Sequence, residues 1–539
     1  MPDCRPVIID TPISENLMPD AGDSAAPPRA ANQNVRAIYS ALMVVMLLAS
    51  LDGTIVATAL PTIVGEFGQL AHLSWIVTAY LLASTIVTPL YGKLGDLFGR
   101  KIVLQSAILL FLAGSALCGL SQSMGALIAF RALQGLGGGG LMVTITAVVG
   151  DLFSPRERGR YQGVFGGIFG LSTVLGPLIG GFFVEQLSWR WIFYINLPLG
   201  FVALAVIGWA FTAPGVRRSA KIDLAGAALL AAMLTALILL TSFGGNTLAW
   251  QSPGTIGLAG VALAALLGFI AAEHRAAEPL LPLHLFGNRI FAIACAIGFI
   301  VGLALFGSIT FMPLYLQVVK GVSPTEAGMA LTPMMAGVLV TSIASGRLIT
   351  RLGRYRLFPI VGTALMTISL ALLATLSVVT TVTAACVYMI VLGLGLGMVM
   401  QVLVLAAQNA VPYENLGVAT SATTLFRSIG GSIGVSLFGA VFAGELTAGL
   451  AGSLSGAKVS IETAPAAIQA LPSATRAIYL HAFTAALHPV FLHAAIIGAA
   501  AFALSWLLQE VPLRGSAPIA SRLVPPPPYS GRDRFSGGS

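Results

Sequence analysis

The phrase GKLGDLFGRK occupies residues 92–101, and a shorter relative of it, GRLITRLGR, occupies residues 346–354. Each follows a long apolar run and precedes another. Glycines seven apart with basic residues after each are too polar for hydrocarbon, so both phrases read as tight connections at one membrane face. A phrase repeated about half a chain apart points to two related halves in one protein. The second copy keeps Gly346, Arg347, Gly353 and Arg354 but has Thr350 where Asp96 stands.

Composition agrees with a membrane protein. Of 539 residues, 57% are hydrophobic and only 9% charged, against about 25% charged in soluble domains. Fourteen apolar stretches, each near the ~20 residues that cross a ~30 Å hydrocarbon layer, lie around 38–60, 74–91, 103–121, 124–149, 162–184, 192–213, 223–242, 255–272, 290–314, 327–349, 357–377, 382–407, 421–443 and 487–508. Backbone polar groups must be satisfied inside lipid, and no barrel-like alternation is present, so the expectation is an all-α integral membrane protein.

Twenty-two of the 28 Lys and Arg fall on one side of this map. The positive-inside rule then places both termini in the cytoplasm, consistent with an even number of spans. The net charge of +8 follows from that bias. Because the basic groups are spread over many short loops, nucleic acid is not an expected partner. Residues 1–36 and 514–539, Pro-containing and without an apolar core, read as disordered cytoplasmic tails. Cys118, Cys295 and Cys386 fall in separate spans and Cys4 in the first tail, which suggests neither disulfide nor metal chemistry.

The repeat continues beyond the opening phrases. Gly135, Gly137 and Gly139 before Asp151 match Gly393, Gly395 and Gly397 before Asn409, all at a shift of 258 positions; Gly159 matches Gly417 and Gly176 matches Gly434 at that same shift. The simplest partition is a six-helix bundle at 37–216, a two-helix insert at 217–288 and a second six-helix bundle at 289–513. A long outer loop, 444–486, falls within the second bundle.

Asp52 is the one carboxylate placed well inside a span. An ionisable group in hydrocarbon is costly and marks function by default. Burial favours the neutral form of a carboxyl and a nearby cation the charged form, so alternation between the two suits a proton carrier. A structural acid that bonds helix ends is the other reading. In the phrase at 92–101, Asp96 can accept charge-assisted bonds or face the N-terminus of a neighbouring helix. Its basic residues alone could serve only topology.

These residues resemble a known family. GKLGDLFGRK is similar to the signature loop of the major facilitator superfamily. LDGTIVATALPTI (51–63), RALQGLGGG (131–139), GLSTVLGPLIGG (170–181) and WRWIFYINLPLG (189–200) resemble motifs of its fourteen-span drug/proton antiporters of the EmrB/QacA type. The resemblance covers roughly residues 36–513 and is far weaker as a guide to substrate. It implies the major facilitator fold, two six-helix bundles plus two inserted helices. It implies that Arg131 faces a central cavity and exchanges partners with Asp52, with Gln134 in the same polar network. It further implies a cytoplasmic gate of Gly92, Asp96, Gly99, Arg100, Lys101, Asp151 and Arg427, in which Asp96 meets the start of the helix bearing Arg427 and Arg100 pairs with Asp151. Gly170, Gly176, Pro177, Gly180 and Gly181 would form a hinge that favours export, although tight packing accounts for the same glycines.

The function expected is a proton-coupled exporter of amphipathic or lipophilic small molecules, a monomer in the inner (cytoplasmic) membrane in contact with lipid. Protons are the coupling ion and no cofactor is expected. A lipid or lipid-conjugate exporter on the same scaffold and a non-transporting sensor are the rivals. No second acid lies deep in the later spans, which favours neutral, monocationic or lipid-like substrates. The Ala-rich part of 444–486 is a candidate contact for an envelope partner. No phosphate-binding G-x-x-x-x-G-K-[ST] loop or Ser-His-Asp arrangement occurs, and His481, His488 and His493 lack Cys or carboxylate company, so neither an ATP motor nor an enzyme nor a metal site is expected.

Overall fold

The computed structural model describes residues 34–67, 73–211, 223–244, 248–451, 468 and 471–513. The two tails, apart from residues 34–36, lie outside these. The described chain is helical almost throughout. Helices α1 (Val35–Phe67), α2 (Leu73–Phe98), α3 (Arg100–Leu120), α4 (Met124–Leu152), α5 (Pro155–Gln186), α6 (Trp191–Tyr194) and α7 (Asn196–Ala210) form the first set. Two more, α8 (Leu224–Phe243) and α9 (Pro253–Arg275), follow. The rest are α10 (Arg289–Ile309), α11 (Phe311–Val319), α12 (Pro324–Met329), α13 (Thr332–Leu352), α14 (Leu357–Leu373), α15 (Val382–Ala410), α16 (Leu416–Ala451) and α17 (Ser473–Ser505).

Among the described residues, twelve helices are long and apolar enough to cross a membrane. This is a multi-pass helical membrane protein. Two of the fourteen expected spans, 290–314 and 357–377, fall instead on shorter apolar helices, Arg289–Leu305 and Leu357–Leu373. At 1.5 Å per residue, the 17 residues of α14 rise about 26 Å, short of a ~30 Å layer.

Two local expectations are corrected. The phrase at 92–101 is not a loop: α2 continues through Phe98, α3 starts at Arg100, and Gly99 alone makes the turn with φ 92°. Gly353 turns its own phrase with φ 71°. Both occupy the left-handed region where a Cβ is strained. Secondly, residues 444–451 and 473–486 of the expected loop are helix, since α16 runs to Ala451 and α17 begins at Ser473. The remainder of it, residues 452–472, is described only at Ile468, Leu471 and Pro472. The residues expected to form a hinge, Gly170 to Gly181, lie within one helix, α5, from Pro155 to Gln186; the Pro177 side chain lies outside the described residues.

Within the first set, α1 packs on α5 and α7, and α4 on α2 and α3. Within the last, α10 packs on α16, and α15 on α13 and α14. The two sets meet along α5 with α13 and α2 with α16. Glycines make these seams backbone-close. A Cβ on Gly92 would strike Gly417 O and Ser421, and one on Gly346 would strike Gly159 O. The helices α8 and α9 pair with each other, and α8 lies against both α2 and α16. There Thr241 Oγ1 and Ser432 Oγ share a hydrogen bond of 2.8 Å.

Candidate functional site

Asp52 sits midway along α1 and is fully buried. Arg131, two turns into α4, donates from Nη1 to Asp52 Oδ2 at 2.7 Å. The spacing of the α4 motif puts Gln134 one turn further on the same face. Its Nε2 donates to Asp52 Oδ1 at 2.8 Å, and its Oε1 accepts from Arg131 Nη1 at 2.7 Å. So the three residues singled out from sequence come together in one closed network.

Further groups complete it. Asn196, the first residue of α7, donates from Nδ2 to Ser115 Oγ at 2.9 Å and lies 3.5 Å from Asp52 Oδ1. Ser115 Oγ in turn donates to Phe193 O at 2.9 Å. The Arg131 guanidinium lies over the Tyr80 ring, 4.3 Å from its centroid, and its Nε donates to Ile76 O at 3.3 Å. Asp52, Ser115, Arg131, Gln134 and Asn196 are each at most 1% exposed. A buried ion pair survives desolvation only when its remaining donors and acceptors are satisfied, and here they are. Asn196 lies in the phrase WRWIFYINLPLG; its residue type, a buried-capable amide at a helix start, was the available signal.

The second cluster lies at the end of the bundle that carries the basic loops. Asp96, in the last turn of α2, accepts the backbone N–H groups of Gly417 at 3.2 Å and Val418 at 3.0 Å, the first turn of α16. Unpaired N–H groups and the helix dipole make that end a natural seat for a carboxylate. Arg100 pairs with Asp96 and also donates from Nε to Asp151 Oδ2 at 3.3 Å. Gly92, Gly99, Asp96, Arg100 and Asp151 are therefore one assembly.

Two expected members are elsewhere. Lys101 donates to Gly208 O at 2.8 Å and ties α3 to α7. Arg427 lies eleven residues inside α16, because that helix begins at Leu416 rather than near 421. It lines a small cavity between α10, α15 and α16, far from Asp96 along the helix.

Sequence reasoning missed the mirror of the Asp96 contact. At the other seam, Arg156 at the start of α5 donates to Thr350 O at 2.8 Å and Arg351 O at 3.0 Å, the end of α13. Thr350 itself bonds back to Gly346 O in its own helix. Between the seams, Gln162 Nε2 donates to Gln408 Oε1 at 3.2 Å, and Gln408 Nε2 to Thr420 Oγ1 at 2.8 Å. This buried chain crosses from α5 to α16.

The α5 glycines divide by neighbour. A Cβ on Gly176 would strike Thr54 and the backbone at Ile55, and one on Gly170 would press on Met335 O. Gly181 has open space, and Gly180 is buried. Thr54 donates to Ser172 O at 3.0 Å. The small face of α5 thus holds α1 two residues beyond Asp52.

A model of the Major Facilitator Superfamily matches residues 42–435. The chain belongs to that superfamily. An uncharacterized MFS-type transporter of Mycobacterium tuberculosis is 44% identical over 481 residues, covering 88% of this chain and 70% of the relative. The multidrug transporter protein MdtP of Bacillus subtilis is 41% identical over 75% of this chain and 74% of its own length. Multidrug resistance protein 3 of the same organism is 35% identical over 78% and 82%. Among solved structures, the human organic anion transporter MFSD10 superposes with a TM-score of 0.62, covering 88% of this chain and 99% of that one, at 16% identity; that likeness shows the fold alone. As a member of this superfamily with transporter and efflux relatives, the protein is a transporter and not an enzyme.

Proposed function

We propose that this superfamily member is a proton-coupled exporter of amphipathic or lipophilic small molecules. It is of the fourteen-span drug/proton antiporter type, with Arg289–Leu305 and Leu357–Leu373 as the two further spans, and both termini face the cytoplasm of an inner membrane. The observation that carries this reading is the sealed Asp52–Arg131 pair, a membrane-embedded acid held by a cation and two amides. Relatives named as multidrug transporters support the substrate class.

In this reading the residues 37–216 and 289–513 form two bundles that rock about a central cavity, with 217–288 as an insert. The reciprocal approach of Gly92 to Gly417 and of Gly346 to Gly159, residues that also match pairwise in the repeat, supports that partition. The structure then corresponds to a state closed toward the cytoplasm. Its closing contacts are Asp96 on the start of α16 and Arg156 on the end of α13.

Protonation of Asp52 from outside removes one charge of the pair and leaves Arg131 without its anion. The α1–α4 contact loosens, and α1 acts on α5 through the Thr54–Ser172 bond and the bare face at Gly176. Because α5 also lines the seam with α13, movement there opens the cytoplasmic side. Deprotonation toward the cytoplasm, with substrate taken up, resets the cycle.

The test is pH-driven efflux of a lipophilic dye from proteoliposomes. Asp52→Asn should abolish the acceleration by a proton gradient, while dye binding persists. Undiminished gradient-driven transport by the variant would overturn the assignment.

A further inference from the structure

Three charged side chains among the described residues stand more than six positions from both ends of their membrane helices: Asp52, Arg131 and Arg427. The first two neutralise each other. Arg427 is partly exposed and has no hydrogen bond or ion pair to any described residue, so no described anion balances its charge. It lies eleven residues, about 16 Å, from the start of α16.

The surroundings are those of a binding pocket for an amphipathic group. Arg427 and Thr423 are the polar residues of a cavity otherwise walled by Gly298, Val301, Met400 and Leu403 and their apolar neighbours. In this state the cavity holds about 10 Å³, room for roughly one water. The wall that would move to admit more is the contact of α10 with α16. It is made by backbone alone at Gly302 against Arg427 O, Gly430 against Phe299 O and Gly434 against Leu303 O. Small residues at these three points let the two backbones approach closely.

An uncompensated cation in a low-dielectric interior is expensive, and the cost is recovered only when an anion joins it. No described carboxylate is free to do so: both oxygens of Asp52 are engaged by Arg131 and Gln134. A cationic substrate therefore meets no counter-charge here, whereas an anion does. Arginine also presents a planar fork of donors matched to carboxylate, sulfonate or phosphate.

We infer that Arg427 is the head-group site for amphipathic organic anions, with the apolar walls of α10 and α15 taking the tail. This deepens the exporter reading and rests on it for the direction of transport, though not for binding. It shifts the substrate expectation from neutral or monocationic molecules toward monoanions.

Two naphthalene probes that differ only by a sulfonate make the test: 1-anilinonaphthalene-8-sulfonate and neutral N-phenyl-1-naphthylamine. Saturable binding is measured with the full chain in phosphatidylcholine nanodiscs. The wild-type protein should bind the sulfonate at least tenfold more tightly than the neutral probe. Arg427→Gln should reduce that preference about tenfold, and Arg427→Lys should restore part of it. No preference in the wild type overturns the inference whatever the variants do. So does an unchanged preference in Arg427→Gln, including the case in which both probes weaken equally. These are equilibrium measurements without a proton gradient, so they fail separately from the efflux test of Asp52→Asn.

Discussion

The Asp96 carboxylate accepts the backbone N–H of Val418 at 3.0 Å, joining positions 322 residues apart across the seam of α2 and α16. It also accepts Gly417 N–H and is paired with Arg100. A charged acceptor makes bonds worth roughly 1.5–3 kcal/mol each. Asp96→Asn should therefore weaken closure of the basic end by about tenfold to a hundredfold in population. Spin-label distances between the basic ends of α2 and α16 check this. An unchanged distance distribution in Asp96→Asn would mean the bond does not bias the equilibrium.

Removal of Arg131 leaves the Asp52 charge buried with only amides to face it. Breaking a buried pair from one side costs roughly 3–5 kcal/mol. Arg131→Ala should be strongly destabilised in a thermal unfolding assay. The double variant Arg131→Ala with Asp52→Asn should recover much of that loss, since no net charge remains buried. Additive destabilisation would contradict the closed network.

The α5 glycines give a prediction that separates contact from mere flexibility. Gly176→Ala places a Cβ against Thr54 and should lower transport severalfold, whereas Gly181→Ala meets nothing within 4 Å and should be silent. A hinge that depends on glycine freedom alone would make both variants defective. Efflux rates of the pair, normalised to membrane content, decide between the two.

At the opposite end, Glu66 accepts Trp189 Nε1 at 2.5 Å and Arg190 Nη2 at 2.8 Å. The Arg190 and Trp189 hydrogen bonds hold its carboxyl below the ordinary carboxylate value. For a depressed acid the stabilisation is present above the unfolded-state value and disappears as pH falls through the folded-state one. The stability difference between wild type and Glu66→Gln should thus be constant near neutrality, begin to fall as pH drops through the ordinary Glu value of about 4.3, and vanish only below the lowered folded-state value. Its size should stay under about 1 kcal/mol, because the pair is solvent-accessible. Unfolding midpoints measured against pH test both statements.

Much of the site was legible because residue type constrained it. A lone acid in an apolar run stood out by residue type, whereas its pairing with Arg131 and Gln134 was legible only through the resemblance to the superfamily's motifs. The pair Gly99 and Gly353 marked the turns, since only glycine holds those positive φ angles without strain. The position of Arg427 was not legible. Thr420, Ser421 and Thr423 look like the polar lead-in to a span, but Thr420 and Thr423 bond back to Leu416 O and Ala419 O. The helix therefore starts earlier, and Arg427 lies eleven residues inside it rather than at its start. A hydroxyl that can satisfy its own helix carries no polarity signal that composition can use.

The sequence by itself determined the class, the superfamily, the paired turns and the identity of the buried acid and base. The class, the turns and the acid follow from local rules (apolar length, glycine φ and the cost of charge in lipid), while the superfamily and the base follow from the resemblance of its motifs. Only the tertiary structure decided which charges are neutralised. Asp52 closes on Arg131, Gln134 and Asn196, Asp96 spends its carboxylate on the start of α16, and Arg427 is left alone beside a small cavity. Pairing depends on rotation and register between helices far apart in the chain, and no single helix encodes that in its own residues.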